Sequence, residues 1–413
     1  MKTFWLTGVL GACALTLAAL PAAAETWARS WAASPQAPTP SGGRFPGSPT
    51  FHDQTVRQVV RLSGGGSKVR VRLTNEYGSA PVTVGAAHLA LAGEGGAIRP
   101  GSDHVLTFGG RTSATIAVGA PLLSDPVDLR AANLALLSIS LYLPGQVDSC
   151  TCHGTAVQAG WVAAGDHAAD VTLPDAKPMG QRALISGVDV ASAKPVRTIV
   201  AFGDSITDGV GSTMNANRRW PDQFADRLVK QGGPAIYIAN EGISGNRVLG
   251  DGAGVSALAR FDRDVLATPG LAYVIVFEGI NDIGIGYAPK DGPNARFFPP
   301  NAGPPPTAED LIGAYRQMIA RAHEKGVKIY GATIAPYEGA AYASPEGNKV
   351  REAVNHWVRT GHAFDGVIDF DAAVRDPAHP TQFKNGFHMG DHLHGSDAGY
   401  AAMAKSIDLK LFK

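Results

Sequence analysis

The sequence has no excess of either charge: 36 Lys and Arg stand against 36 Asp and Glu in 413 residues. Without a basic surplus there is no electrostatic footprint for a polyanion, so no nucleic-acid partner is expected. Long apolar runs are missing beyond residue 24. Nothing later approaches the roughly 18 to 20 uninterrupted apolar residues that a membrane span needs. Cysteine is scarce, with Cys13, Cys150 and Cys152 making up the whole complement. The first 24 residues hold one charged group, Lys2, followed by an apolar run from Phe4 to Leu20 and by Pro21-Ala22-Ala23-Ala24. A charged start, an apolar middle and a small-residue cleavage site predict a secretory signal peptide over 1–24 and a secreted or periplasmic protein. Cys13 lies inside the apolar run, whereas an acylated cysteine opens a polar mature chain, which argues against lipidation.

Export carries Cys150 and Cys152 into an oxidising compartment. Residues two apart on an extended strand lie about 6.7 Å apart, at the outer edge of disulfide geometry, so a bridge there requires a local turn. His153 beside them suggests a metal site on paper, but three ligands on four adjacent residues close poorly around zinc. Free or locally bridged thiols without a function are the expectation.

What the chain has in quantity is hydrophobic residues (45%) and glycine (50 residues), enough for two cores with turns between their elements. Between about Thr55 and Leu143 the period is two, and Lys68-Val69-Arg70-Val71-Arg72-Leu73-Thr74 alternates strictly. Thr55 to Leu62, Val82 to Leu91, Thr112 to Val118 and Leu134 to Leu143 read as further strands of an all-β sandwich or jelly roll. From Arg197 short apolar runs (Thr198 to Phe202, Ile236 to Ala239, Ala272 to Phe277, Val327 to Ile334, Val367 to Phe370) alternate with stretches of helical spacing. That alternation predicts a doubly wound α/β domain around a parallel sheet. The expected domains are therefore 25–180, all β, and 195–413, α/β.

Phe202-Gly203-Asp204-Ser205-Ile206-Thr207-Asp208-Gly209 follows the first α/β strand, at the carboxyl end where open α/β sheets build their sites. An alcohol nucleophile needs a base, an acid that orients the base, and donors for the oxyanion. After the second strand, Asn240-Glu241-Gly242-Ile243-Ser244-Gly245-Asn246 puts small residues where a backbone N–H can approach a ligand. After the third, Gly279-Ile280-Asn281-Asp282 supplies an amide. Gly390-Asp391-His392-Leu393-His394-Gly395-Ser396 offers a carboxylate and an imidazole three residues apart, just before a last helix that Ser396 can cap.

These four blocks, in this order, resemble the SGNH (GDSL) hydrolase superfamily over about Arg197 to Lys413. The resemblance implies a three-layer, flavodoxin-like domain. It also implies a Ser205, His394 and Asp391 triad, with an oxyanion hole from the N–H groups of Ser205 and Gly245 and the side chain of Asn281. No metal or organic cofactor is required. His392 is a rival base, although it is adjacent to Asp391 rather than three residues away. His388, His392, His394 and Asp391 are an alternative metal set that leaves the serine and oxyanion blocks unexplained. Asp204, Asp208 and Asp282 are expected to brace the site loops. Arg247 is expected to meet a local acid or a substrate carboxylate, and the Phe297-Phe298 insertion to wall the cleft. Trp27-Ala28-Arg29-Ser30-Trp31 with the β half resembles larger bacterial SGNH esterases, some acting on acetylxylan. Trp27, Trp31 and Trp161 then either stack on sugars or pack between the domains. The expected function is a secreted carboxylesterase for short acyl esters, acetyl above all, whose partner is a small ester or acylated carbohydrate. A lipase, lysophospholipase or thioesterase on the same triad is the alternative, and a non-catalytic carbohydrate-binding protein another. Oligomeric state is not legible.

Overall fold

The alternation in Lys68–Thr74 becomes a strand with Val69, Val71 and Leu73 buried on one face. A computed structural model describes residues 1, 3, 25–42, 47–192, 194–233, 235–291 and 304–413. The expected leader and the Phe297-Phe298 insertion lie outside these residues.

The N-terminal half is two antiparallel sheets. One orders its strands as Thr26–Ala32, Ile185–Ser192, Lys68–Thr74 and Pro121–Leu123. The other has six strands, with Gln54–Arg61 and Leu136–Leu143 paired at its centre. Val56, Val60, Leu137, Ile139 and Leu141 from the second sheet bury against Val69, Val71, Val188 and Val190 from the first, which makes a sandwich core. The expected end of this half at 180 falls short. Ile185–Ser192 is a central strand of the first sheet, and its burial on both faces erased the period-two signal. The bridge at Cys150–Cys152 is formed, with Cα atoms 5.4 Å apart, closer than two positions of an extended strand, just where the short strand Cys152–His153 begins.

The C-terminal half is a parallel sheet of β1 (Val196–Gly203), β2 (Ala235–Gly242), β3 (Leu271–Phe277), β4 (Lys328–Ala332) and β5 (Gly366–Ile368), in the order β2-β1-β3-β4-β5. This is the flavodoxin-like order, whose switch point lies between β1 and β3. The helices that matter for the site are α1 (Ser205–Asp208), α2 (Trp220–Gln231), α3 (Ala257–Phe261), α4 (Ile280–Gly286) and the C-terminal α5 (Asp397–Ser406). α3 passes into a π-helical turn over Asp262–Leu266.

β2 is an edge strand of the parallel sheet, and an open edge invites foreign pairing. Here the β sandwich covers it. Ser63 Oγ accepts from the Ile238 N–H at 2.8 Å and shares its one proton between the carbonyls of Ser30 at 2.8 Å and Ile238 at 3.0 Å, while Tyr237 Oη donates to the Gly65 carbonyl.

Candidate active site

β1 ends in Gly203, where a Cβ would stand 2.3 Å from both the Phe277 carbonyl oxygen and Thr207 Oγ1. Glycine is therefore required for the chain to turn into α1 this close to β3. Asp204 caps α1, its Oδ1 accepting from the Ile206 N–H at 2.9 Å, and Gly209 ends it at φ 104°. Ser205 is thus the first residue of a one-turn helix at the switch point, 5% exposed.

Residues 387–396 form a closed loop, held by the Met389 N–H to the His394 carbonyl at 2.9 Å and the Ser396 N–H to the Phe387 carbonyl at 2.9 Å. Ser396 caps α5 through the Gly399 N–H, and Tyr400 Oη donates to the Val210 carbonyl at 2.5 Å, seating the loop against the turn after α1. The outcome is an unbroken line: Ser205 Oγ to His394 Nε2 at 2.8 Å, then His394 Nδ1 to Asp391 Oδ2 at 2.6 Å. Asp391 Oδ1 also accepts from the Leu393 and His394 N–H groups, each at 3.0 Å. Burial opposes ionisation of Asp391, but the bond to His394, its charge and the two N–H groups outweigh that and hold the carboxyl down at about 2.

Asn281 lies in the first turn of α4. Its Nδ2 donates to the Asn246 carbonyl at 2.9 Å and its Oδ1 accepts from Tyr342 Oη at 3.3 Å, so the amide has a set orientation with one N–H to spare. Gly245 takes φ 82° in a turn closed by the Asn246 N–H to the Ile243 carbonyl at 3.0 Å. The Ile243 N–H meets the Gly203 carbonyl at 3.0 Å, fixing this loop to the end of β1. Asp282 accepts from Val248 N–H at 2.7 Å and Leu249 N–H at 2.9 Å, so α4 and the Gly245 loop are one unit. Asp208 likewise braces the Gly245 loop, its Oδ2 accepting from the Ser244 N–H at 3.0 Å and from Ser244 Oγ at 2.6 Å.

His392 does not contact Ser205 or Asp391 through its ring. It stacks on His388 at 4.4 Å between centroids, and His388 Nδ1 accepts from the Gly390 and His392 N–H groups at 3.1 Å. Among the described residues no group of three or more His, Cys, Asp or Glu is arranged to hold a metal ion, and no helix is long and apolar enough to cross a membrane. Arg247 donates to the Asp251 carbonyl. Trp31 is buried under Arg182, while Trp27 under the Arg70 guanidinium and Trp161 against Gly96 are half-buried.

Sequence reasoning missed Arg260. Its side chain is wholly buried and donates to Asn246 Oδ1 (2.8 Å), the Glu241 carbonyl (2.8 Å), the Gly203 carbonyl (3.0 Å) and Ser34 Oγ (3.1 Å). One guanidinium so ties the ends of β1 and β2 to the Gly245 loop and the β sandwich. An arginine at the end of a short amphipathic helix reads as a solvated charge, and nothing local marks it otherwise. His153 was weighed only with its neighbouring cysteines; the structure places it on Asp208 of α1 instead.

Residues 201–402 match the model of the GDSL-like lipase/acylhydrolase family. Among solved structures, the chain is similar to a lipase/acylhydrolase from Enterococcus faecalis at 19% identity, covering 51% of this chain and 92% of that one with a TM-score of 0.37. It is similar to a GDSL-like lipase from Bacteroides thetaiotaomicron at 19% identity, over 52% and 87% of the two chains with a TM-score of 0.35. It is also similar to a carbohydrate acetylesterase from Sinorhizobium meliloti at 16% identity, over 50% and 94% with a TM-score of 0.36. A comparison with curated proteins returned no match.

Proposed function

Since residues 201–402 belong to the GDSL-like lipase/acylhydrolase family, we propose that this carboxylic ester hydrolase cleaves short acyl esters, acetyl groups on carbohydrate above all, through Ser205, His394 and Asp391. The observation that carries the reading is the unbroken line from Ser205 Oγ through the imidazole to Asp391, at 2.8 and 2.6 Å. In the proposed reaction Ser205 Oγ attacks the acyl carbon as His394 Nε2 takes its proton. The oxyanion so formed accepts from the N–H groups of Ser205 and Gly245 and from Asn281 Nδ2. His394 then returns the proton to the departing alcohol. Water, deprotonated by the same ring, then attacks the acyl carbon, and as the acyl–Oγ bond breaks the ring returns that proton to Ser205 Oγ, releasing the acid. Asp391 stays ionised throughout and holds the ring in position.

The preference for short chains is supported by the loops that carry these groups. Their large exposed apolar side chains are Met214, Leu249 and Met389, on three separate segments among polar residues and glycines. Each buried methylene contributes roughly 0.8 kcal/mol, so a long chain would require an extended apolar groove. The leader at 1–24 supports action outside the cytoplasm.

Aryl esters of two to twelve carbons, compared by kcat/KM alongside acetate release from acetylated xylan, test the substrate. Efficiency should be greatest at two to four carbons. A maximum at eight or more, with no acetate released, would move the protein to a lipase. Ser205→Ala and His394→Ala should each abolish labelling by a fluorophosphonate probe, and labelling of the serine variant would sink the triad.

A further inference from the structure

A loop of the β sandwich, residues 150–159, runs into the α/β domain beneath Ser205. Its start is closed by the Cys150–Cys152 bridge and held by the Gln36 N–H to the Cys152 carbonyl at 2.8 Å. Its far end holds the loop after α1, through the Ala159 N–H to Asn215 Oδ1 at 2.7 Å and the Asn215 N–H to the Val157 carbonyl at 3.1 Å. Between them stands His153, 4% exposed. Its Nδ1 lies 3.0 Å from the Ser34 carbonyl oxygen and its Nε2 3.0 Å from Asp208 Oδ1.

The Ser34 carbonyl and the Asp208 carboxylate are both acceptors, so the pair of contacts favours the ring with both nitrogens donating, its imidazolium form. The charges around it agree. Burial opposes protonation, and so does Arg182 on the neighbouring strand, but Asp208 and the Ser34 carbonyl outweigh them and hold the pKa above its ordinary value. Arg219, ahead of α2, acts on the same Asp208. Asp204 and Glu241 stand beyond it, each pushed up to about 7, chiefly by burial.

The second oxygen of Asp208 accepts from the N–H of Ser244 at 3.0 Å and from its Oγ at 2.6 Å. That hydroxyl also meets Thr155 Oγ1, from the same β-sandwich loop, at 3.0 Å. One buried carboxylate therefore joins the last residue of the helix that Ser205 begins, the residue before Gly245, and a cation from the other domain. Remove the ring, and Asp208 Oδ1 loses its closest donor while the carboxylate stays buried, so the charge must lean further on Arg219 and Ser244, protonate or move.

We infer that His153 is a positioning residue for ester hydrolysis, supplied by the β sandwich and acting through Asp208 and Ser244 on the placement of Ser205 and the Gly245 N–H. This rests on the reading of Ser205 as nucleophile and Gly245 as oxyanion donor. Displacements of about 1 Å in such a site cost roughly a hundredfold in rate.

The test uses the full chain and p-nitrophenyl acetate, with His153→Ala, Asp208→Asn, the double variant and Ser205→Ala measured together. His153→Ala should lower kcat roughly ten- to a hundredfold and change KM by less than about twofold. The double variant should be no worse than the poorer single one, because both act along one chain of contacts. Wild-type kcat should carry a decline as pH rises through the raised pKa of His153, a step absent from His153→Ala. A purely structural histidine would move the melting midpoint and neither of these. Wild-type kcat in folded His153→Ala overturns the inference. If that variant does not fold, Ser244→Ala removes the hydroxyl from Asp208 and Thr155 while leaving the backbone; a several-fold loss of kcat supports the inference and an unchanged kcat overturns it. Full activity in Ser205→Ala would instead overturn the nucleophile reading and the inference with it, a result distinct from failure at His153 alone.

Discussion

The amide of Asn281 is oriented before any substrate arrives, because the Asn246 carbonyl and Tyr342 Oη occupy one donor and the acceptor. In the proposed reaction the remaining N–H contributes where negative charge develops and little to the ground state. Asn281→Ala should therefore lower kcat by roughly a hundred- to a thousandfold, about 3 to 4 kcal/mol, with KM nearly unchanged. Steady-state kinetics on an aryl acetate decide it, and a change confined to KM would make Asn281 a substrate-binding group. Asp391 needs no help of this kind: held down at about 2, it stays ionised at any pH where the protein works.

At the scale of elements, the weak point of the α/β domain is the outer edge of β2. The Ser63 hydroxyl accepts from the Ile238 N–H there and shares its one proton between the Ser30 and Ile238 carbonyls, and Ser63 itself is 7% exposed. Ser63→Ala leaves the buried Ile238 N–H without its partner, at a cost of roughly 1 to 3 kcal/mol. Urea unfolding should show a lower midpoint with an unchanged slope. An unchanged midpoint would mean that water pairs the edge equally well. The same junction explains why the two halves are not separate modules: Ser34, Ser63, Tyr237 and Arg260 bond across it.

Over the whole molecule, ionisable groups are buried in unusual number around the site. Burial pushes Asp204 and Glu241 up to about 7 and Asp282 to about 6, and raises Glu278 well above its ordinary range. Unfolding lets these carboxyls ionise near 4, so from there to about 7 the unfolded chain binds fewer protons and stability falls as pH rises. His153 acts in the same sense. Its folded pKa is raised, so its contribution is complete below about 6.5 and is lost as pH rises through the folded value. On the acid side Asp391, Asp264 and Asp369 are lowered, and what they contribute is present above about 4 and lost as pH falls. The melting midpoint should thus be greatest near pH 4, where these opposing windows meet, and should fall towards pH 8. A midpoint rising steadily from pH 5 to pH 8 would contradict the assignment.

Periodicity and spacing in the sequence determined the two architectures and the four blocks that build the site, because each depends on residues close in the chain: a strand, the turn after it, a carboxylate three residues from an imidazole. Strand ends were legible to within a few residues, as in Lys68–Thr74. The end of the sandwich at Ser192 was not, because a strand buried on both faces carries no alternation. Nor were the groups that hold the blocks together. His153 meets Asp208 across 55 residues, and Arg260 meets Ser34 across 226. Such pairs leave no local pattern, since a side chain's partner at that separation is set by how the two cores dock. Only the tertiary structure decided that the β sandwich would reach the helix that Ser205 begins, because a buried charge takes whatever opposite charge the packing brings to it.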